Sequence, residues 1–306
     1  MTQLEVGIGL PSAIPGVSRA QILDWAVRAE QLGASSIASV DRLRYPGWDP
    51  MIALAAAAAV TTAPRLLTSV LVSPLRSNTA LFAQETASLD QLSEGRLVLG
   101  LGVSRRPDDY EQSRLDFHRR GRTLDEQLDG LAAFWAAADG AAGAVVGPAP
   151  YAGRKPPLLI GGQVPATLRR VVTWGEGWIA AAGLGGWGGA IAFAERVREA
   201  WAEAGREGSP RLVVTVYSAG GSRAADHARD YMREYYGFLG EAKADELAGH
   251  VLTSPERVSE AYQDLEEAGF DELILLPVSA EIDELVVLER LGQTGVVASS
   301  PAARLT

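Results

Sequence analysis

Eight times along this chain a short β-branched or aliphatic run is followed by an amphipathic helical pattern. The first four runs start about 30 residues apart, the length of one strand–helix unit. The runs are Leu4–Leu10, Ser35–Val40, Leu66–Val72, Arg96–Leu101, Pro157–Ile160, Gly177–Ala181, Arg211–Ser218 and Leu273–Pro277. The predicted helices are Ser18–Leu32, Met51–Thr62, Asn78–Leu92, Arg122–Ala138, Pro165–Trp174, Ala190–Ala204, Pro255–Ala268 and Ile282–Leu291. Ser18 is placed as an N-cap, and Asp49-Pro50 as a cap plus first turn. Near-continuous apolar runs such as LLTSVLV and LVLGLG suit strands buried on both faces of a parallel sheet. Eight units in 306 residues favour a closed (β/α)8 TIM barrel over an open doubly wound sheet. The expectation is one α/β barrel domain over residues 1–292 and a flexible tail over 293–306. Two excursions interrupt the pattern, at about 102–121 after strand four and about 219–254 after strand seven. Both fall at the C-terminal ends of strands, where barrel enzymes build their sites.

Composition removes whole classes of function. A net charge of −10 argues against broad binding to nucleic acid or to an anionic membrane surface. With no cysteine, disulfides, thiolate catalysis, iron–sulfur clusters and Cys-ligated zinc are all excluded. The first residues lack the basic start and apolar stretch of a signal peptide. The longest aliphatic run, Met51–Val60, is half of the roughly 20 residues that span a bilayer. A cytoplasmic location is the expectation.

The strand ends narrow the chemistry further. None of the three histidines, His118, His227 and His250, lies at a predicted strand end, so a metal-dependent hydrolase lacks its ligands and no metal is expected. Asp41 is the only clear strand-end carboxylate, against the pair a retaining glycosidase requires. No Gly-x-Ser-x-Gly elbow is present.

Glycine and arginine mark the candidate site instead. Gly161-Gly162 stands at a strand-to-helix turn with Pro165 just beyond it. Such a turn offers backbone N–H groups beside a positive helix end to a phosphate, or simply makes a tight connection. Arg105 and Arg106 follow strand four and read as an anion clamp or as local partners of Asp108 and Asp109. Arg119, Arg120 and Arg122 gather at a predicted helix start, where the dipole disfavours cations unless they face an anion. Trp174, Trp178 and Trp187 wall a planar ring or pack the core; Tyr231, Tyr235 and Tyr236 form a lid face or a helix's buried stripe. The histidines read as surface or helix residues, with His118 best placed for proton transfer.

Three stretches in order and spacing, VTTAPRLLTSVLVSPLRSNTALFAQETASLDQLSEGRLVLGLGV, DDYE…DFHRRGRTLDEQLDGLAAFW and PPLLIGGQVPATLRRVVTWGEGWI, resemble the bacterial luciferase-like monooxygenase family. LDQLSEGRLVLGLG is the most diagnostic piece. The resemblance implies a barrel that binds reduced FMN, or alternatively the deazaflavin coenzyme F420, at its C-terminal mouth. It implies a monooxygenase using FMNH2 and O2 on a small organic substrate, with a separate flavin reductase and a homodimeric assembly. The alternatives are a hydride-transferring deazaflavin enzyme and a non-catalytic flavin-binding protein. By the same resemblance Gly161, Gly162, Gln163 and Arg120 or Arg122 hold phosphate, and a non-proline cis peptide at Ser69-Val70 backs the ring. Arg105 and Tyr110 are further cofactor or substrate contacts. The chain departs from many relatives in one place. It has Asp41-Arg42 where they carry a carboxylate and a histidine, and an arginine stays cationic and cannot act as a general base. Arg42 is therefore expected to supply charge, or else to pair with Asp41 or Asp49.

Overall fold

A computed structural model describes residues 3–137, 147–181, 186–286 and 288. Eight parallel strands close into a barrel in sequence order. They are β1 (Glu5–Gly9), β2 (Ser36–Ser39), β3 (Arg65–Val72), β4 (Leu97–Gly102), β5 (Leu158–Gly161), β6 (Gly177–Ala181), β7 (Arg211–Ser218) and β8 (Glu272–Pro277). Closure runs through β8 and β1, with Val6 opposite Leu273 and Ile8 opposite Leu275.

The helices are α1 (Arg19–Gln31), α2 (Pro50–Ala58), α3 (Thr79–Leu92), α4 (Pro107–Gln112), α5 (Arg120–Ala137), α6 (Pro165–Trp174), α7 (Gly188–Glu203), α8 (Ala224–Tyr236), α9 (Glu241–Ala248) and α10 (Pro255–Glu267). Their starts are chemically marked. Ser18 and Gln21 form a capping box on α1, Asp49 accepts from the Met51 and Ile52 amides, and Asn78 accepts from Leu81.

One expected boundary is corrected, and two segments gain detail. Helix α2 ends at Ala58 rather than Thr62, and Arg96 caps that end, its guanidinium donating to the carbonyls of Ala58, Thr61 and Pro64. The excursion after β4 holds a short helix, α4, begun by Pro107 with Asp108 and Asp109 in its first turn. The helix expected over Ile282–Leu291 opens as a 3-10 turn over Ile282–Leu285 and is helical at Val286 and Leu288. Residues 289–306, including the expected tail, lie outside the described residues.

Apolar packing forms two layers. Trp25, Leu54, Phe82, Leu128 and Trp178 fill the space between sheet and helices. Ala38, Leu67, Val98, Leu159, Ile179, Val213 and Ile274 fill the barrel itself. At the N-terminal end the fill is ionic: Glu272, 1% exposed, pairs with Arg65 at 3.3 Å and Arg211 at 2.7 Å and accepts from Ser35 and Ser36. At the opposite end the fill becomes aromatic, with Tyr217, Tyr231 and Tyr235 closing the interior layer. No described helix is long and apolar enough to cross a membrane.

Candidate active site at the barrel mouth

The mouth is shaped first by a break in β3. Its register with β4 shifts between Thr68 and Leu71, and the Ser69-Val70 peptide inside that shift is cis. Thr68 replaces lost ladder bonds with its hydroxyl, which donates to the Gly100 carbonyl at 2.9 Å and accepts from the Gly100 amide at 2.8 Å. The displaced Val70 side chain occupies room that glycines leave. A Cβ on Gly102 would come within 2.8 Å of Val70 Cγ2, and one on Gly161 within 3.0 Å of Val70 Cγ1. Three adjacent strands thus meet at Val70.

The turn after β5 lies beside it. Gly162 has φ +115, a backbone conformation that only glycine adopts without strain, and its carbonyl accepts from Trp178 Nε1 at 2.7 Å. A Cβ on Gly162 would fall 2.9 Å from Thr167 Oγ1. Thr167 stands in the first turn of α6, is 1% exposed, and its hydroxyl has no hydrogen-bond partner. The sequence reading missed Thr167, although a hydroxyl three residues into a helix that follows Gly-Gly was a usable signal. Gln163 follows in the same turn, half-buried.

The arginines at the start of α5 divide. Arg122 points to solvent and pairs with Glu126 at 2.9 Å. Arg120 turns inward: it lies 3.7 Å over the Phe117 ring, donates Nη1 to the Phe117 carbonyl, and keeps a buried Nε without a partner. Arg170 ties this helix start to α6 through Asp125 Oδ1 at 2.6 Å and the Gly121 carbonyl at 2.9 Å. Tyr110 is buried, with its hydroxyl donated to the Val103 carbonyl at 2.6 Å, so it supports the loop after β4 and presents no free hydroxyl to the mouth. Arg105 is exposed at the rim.

At the end of β2, Asp41 accepts from the Val72 amide at 2.9 Å and from Arg76 at 2.7 Å, latching β2 to the end of β3. Burial raises its pKa in spite of Arg76. Arg76 also takes Asp49, so neither carboxylate pairs with Arg42. Arg42 instead meets residues of α4, with Nε 3.5 Å from Asp109 Oδ2 and Nη2 3.9 Å from Asp108. Its guanidinium lies 5.3 Å from the Tyr45 ring centroid and 4.8 Å from that of Tyr235.

Helix α8 closes over these groups. Tyr231 and Tyr235 stack at 5.3 Å, Tyr45 meets Tyr235 edge-on at 4.9 Å, and the Tyr217 and Tyr236 hydroxyls are 3.2 Å apart. Burial pushes the phenol pKa values of Tyr217, Tyr231, Tyr235 and Tyr236 up, so all four remain neutral. Arg106 pins the far end, 3.8 Å over the Phe238 ring and bidentate to Asp108. The near end is held by His227. Read from sequence as a surface or helix residue, it lies half-buried on α8 and acts as a tether: its Nδ1 lies 3.3 Å from Glu284 and its Nε2 3.6 Å from Glu281. His118 is exposed. The three tryptophans pack rather than wall a ring, with Trp174 bonded to Asp129, Trp187 to Asp264 and Trp178 deep in the core.

Among the described residues, seven buried side-chain N or O atoms have no hydrogen-bond partner, and six gather at this end: Arg42 Nε and Nη1, Tyr45 OH, Asp109 Oδ2, Arg120 Nε and Thr167 Oγ1. A buried polar atom left unpaired costs about 1–3 kcal/mol, so their concentration marks where a polar ligand belongs. No cluster of potential metal ligands occurs among the described residues.

Comparison with known proteins agrees with this fold. The profile of the luciferase-like monooxygenase family matches residues 4–275. An uncharacterised protein of Mycobacterium tuberculosis is 29% identical over 216 residues, covering 66% of this chain and 73% of its own. An F420-dependent glucose-6-phosphate dehydrogenase of Kribbella flavida is 30% identical over 141 residues, 43% of this chain and 42% of its own. A monooxygenase of Streptomyces bottropensis superimposes with TM-score 0.72 at 21% identity over 95% of this chain and 98% of its own. A type II Baeyer–Villiger monooxygenase of Pseudomonas putida, in complex with FMN, gives 0.70 at 18% identity over 98% and 99%. An F420-dependent secondary alcohol dehydrogenase gives 0.76 at 15% identity over 97% and 99%.

Proposed function

Since the chain belongs to the luciferase-like monooxygenase family, we propose that it is an oxidoreductase that binds reduced FMN at the barrel mouth and uses O2 on a small organic substrate. The observation that carries this reading is two orphaned groups at the mouth, Thr167 Oγ1 in the first turn of α6 and Arg120 Nε at the start of α5, on two helices that Arg170 ties together. A hydroxyl and a guanidinium beside a helix start are donors suited to a cofactor phosphate.

Gly161, Gly162, Gln163, Thr167 and Arg120 would hold that phosphate, and the Val70 bulge would back the ring. When bound, the reduced flavin supplies the electrons and O2 the oxygen atom. The chain's own part is positional and protective. Tyr217, Tyr231, Tyr235 and Tyr236 remain protonated and exclude water from the mouth, and Arg42 holds a fixed positive charge beside them. Arg42 takes no proton in this scheme. Asp41 keeps the end of β3 in place.

The exposed Arg105 supports a second reading. A rim cation suits the polyanionic tail of the deazaflavin coenzyme, which would make the enzyme a hydride-transferring one. Parallel anaerobic titrations with FMNH2 and with the reduced deazaflavin, followed by admission of oxygen, separate the readings. Tight FMNH2 binding with oxygen-dependent turnover supports the first, and selective deazaflavin binding supports the second. A retained flavin with no turnover of either kind leaves a non-catalytic flavin-binding protein. Delivery of FMNH2 by a separate reductase belongs to the first reading. So does a homodimer through α2 and α3, on which Ile52, Leu81 and Leu92 are exposed.

The two arginines give a paired prediction. Arg120→Ala is expected to weaken cofactor binding by about tenfold or more, the worth of one charge-assisted hydrogen bond. Arg122→Ala should change it less than twofold, because its partner is a surface glutamate. Fluorescence titration of both variants checks the contrast.

A further inference from the structure

We infer that Arg42, Tyr45 and Asp109 form a substrate subsite selective for a neutral, hydroxyl-bearing aromatic compound. The inference rests on the cofactor reading above and goes beyond it by naming what the second half of the mouth recognises.

Four of the six orphaned atoms at the mouth belong to these three side chains. The Arg42 side chain is 5% exposed and that of Asp109 is fully buried, yet Arg42 Nε and Asp109 Oδ2 stand 3.5 Å apart without forming a hydrogen bond. The other Asp109 oxygen is taken by the Arg44 amide at 2.8 Å, and Arg42 Nη2 by the Arg44 carbonyl at 3.2 Å. Arg42 Nε–H and Nη1–H remain as donors, Asp109 Oδ2 as an acceptor, and the Tyr45 hydroxyl as either. A group that satisfies this set must accept from the guanidinium and donate to the carboxylate. A hydroxyl does both; a ketone, an ether or a carboxylate cannot donate.

Charge selects for neutrality. Arg42 and Arg106 stand against Asp108 and Asp109 in one cluster, two cations to two anions. A ligand anion would leave Asp109 repelled, whereas a hydroxyl leaves the balance unchanged. Shape selects for a flat ring. Tyr45 and Tyr235 pack edge to face beside the guanidinium, and Tyr231 stacks behind Tyr235. A crevice lined by Leu10, Val40, Tyr217, Tyr231 and Leu276 shares Tyr231 with this aromatic wall. Because Tyr235 lies against Arg42, a ligand reaches the guanidinium only as α8 yields.

The test uses four probes of one skeleton: 1-naphthol, 1-methoxynaphthalene, naphthalene and 1-naphthoate. Binding is measured by fluorescence to the flavin-loaded and to the flavin-free full chain. The expected result is 1-naphthol at least about tenfold tighter than the other three. Arg42→Met and Tyr45→Phe should erase that margin while leaving naphthalene binding within twofold. Tyr45→Phe removes one oxygen from a folded ring, so it serves even if Arg42→Met folds poorly. Equal binding of 1-naphthol and its methyl ether, meaning that the orphaned atoms hold only water, would overturn the inference. Tighter binding of 1-naphthoate would overturn its neutrality. Cofactor titration of the same variants reports separately on the phosphate seat, so loss of naphthol selectivity with intact cofactor binding is distinguishable from failure of the cofactor reading.

Discussion

Gly100→Ala is expected to destabilise the barrel by about 3 kcal/mol or more, a large share of the 5–15 kcal/mol that holds a domain folded. The new Cβ would lie 2.1 Å from the Thr68 carbonyl oxygen. That atom is backbone and belongs to the irregular stretch of β3, so no side-chain rotation relieves the clash. The strand must move, and Thr68 then loses both of its hydrogen bonds to Gly100. Because Val70 shapes the mouth, cofactor binding should fall together with stability. Gly188→Ala is the control: nothing lies within 4 Å of its added carbon, and the change should stay within about 0.5 kcal/mol. Urea unfolding of both variants, with cofactor titration at low denaturant, reads the contrast. Equal midpoints for the two variants would contradict the packing argument.

The second large effect lies at the other end of the barrel. Glu272→Ala is expected to cost about 3–5 kcal/mol, because it strands two guanidiniums around a buried position. The pH dependence has a definite sign. Arg65 and Arg211, with the Ser35 and Ser36 hydroxyls, hold the Glu272 carboxyl below its usual range despite burial. A carboxylate whose folded pKa is depressed gives stability that is present in full above the unfolded value of about 4.3. That stability is lost as pH falls through the lower folded value. The gap between the wild-type chain and Glu272→Gln should therefore hold constant from pH 8 to 5 and narrow below about pH 4. Asp41 and Glu284 act in the opposite direction, since burial raises both, and their protonation in acid favours the folded state relative to the unfolded. Denaturant melts of the two proteins across this range test the assignment, and a gap that widens in acid would remove Glu272 as the source.

How much of this was legible in the sequence depends on the range of the interaction. Strands β6 and β7 and helix α6 lie where periodicity places them, and Ser18, Asp49 and Asn78 cap helices as local chemistry dictates. The start of α4 was also locally written, in Pro107-Asp108-Asp109, but six residues are too few for a periodic signal. Long-range partners were not legible. Nothing near Arg42 announces Asp109, and the charge partners closer in sequence, Asp41 and Asp49, are both taken by Arg76. The glycines of LVLGLG look like loose strand residues until Val70 of the neighbouring strand is seen resting on them. Arg120 and Arg122 differ only in helical phase, which sequence alone could not set, and that phase sends one toward Phe117 and the other to solvent. Thr167 was overlooked because its meaning comes from the turn it faces rather than from its neighbours in the chain.

The central functional claim is that the β5–α6 turn seats a cofactor phosphate. The most direct measurement compares FMN with riboflavin, and the deazaflavin coenzyme with its dephosphorylated core, on the wild-type chain and on Thr167→Val. The account predicts that the phosphate strengthens binding by about a hundredfold in the wild type, from several charge-assisted bonds. Thr167→Val should cut that advantage about tenfold while leaving the melting temperature unchanged or raised, since the lost hydroxyl is buried without a partner. Phosphorylated and dephosphorylated forms binding equally well would contradict it.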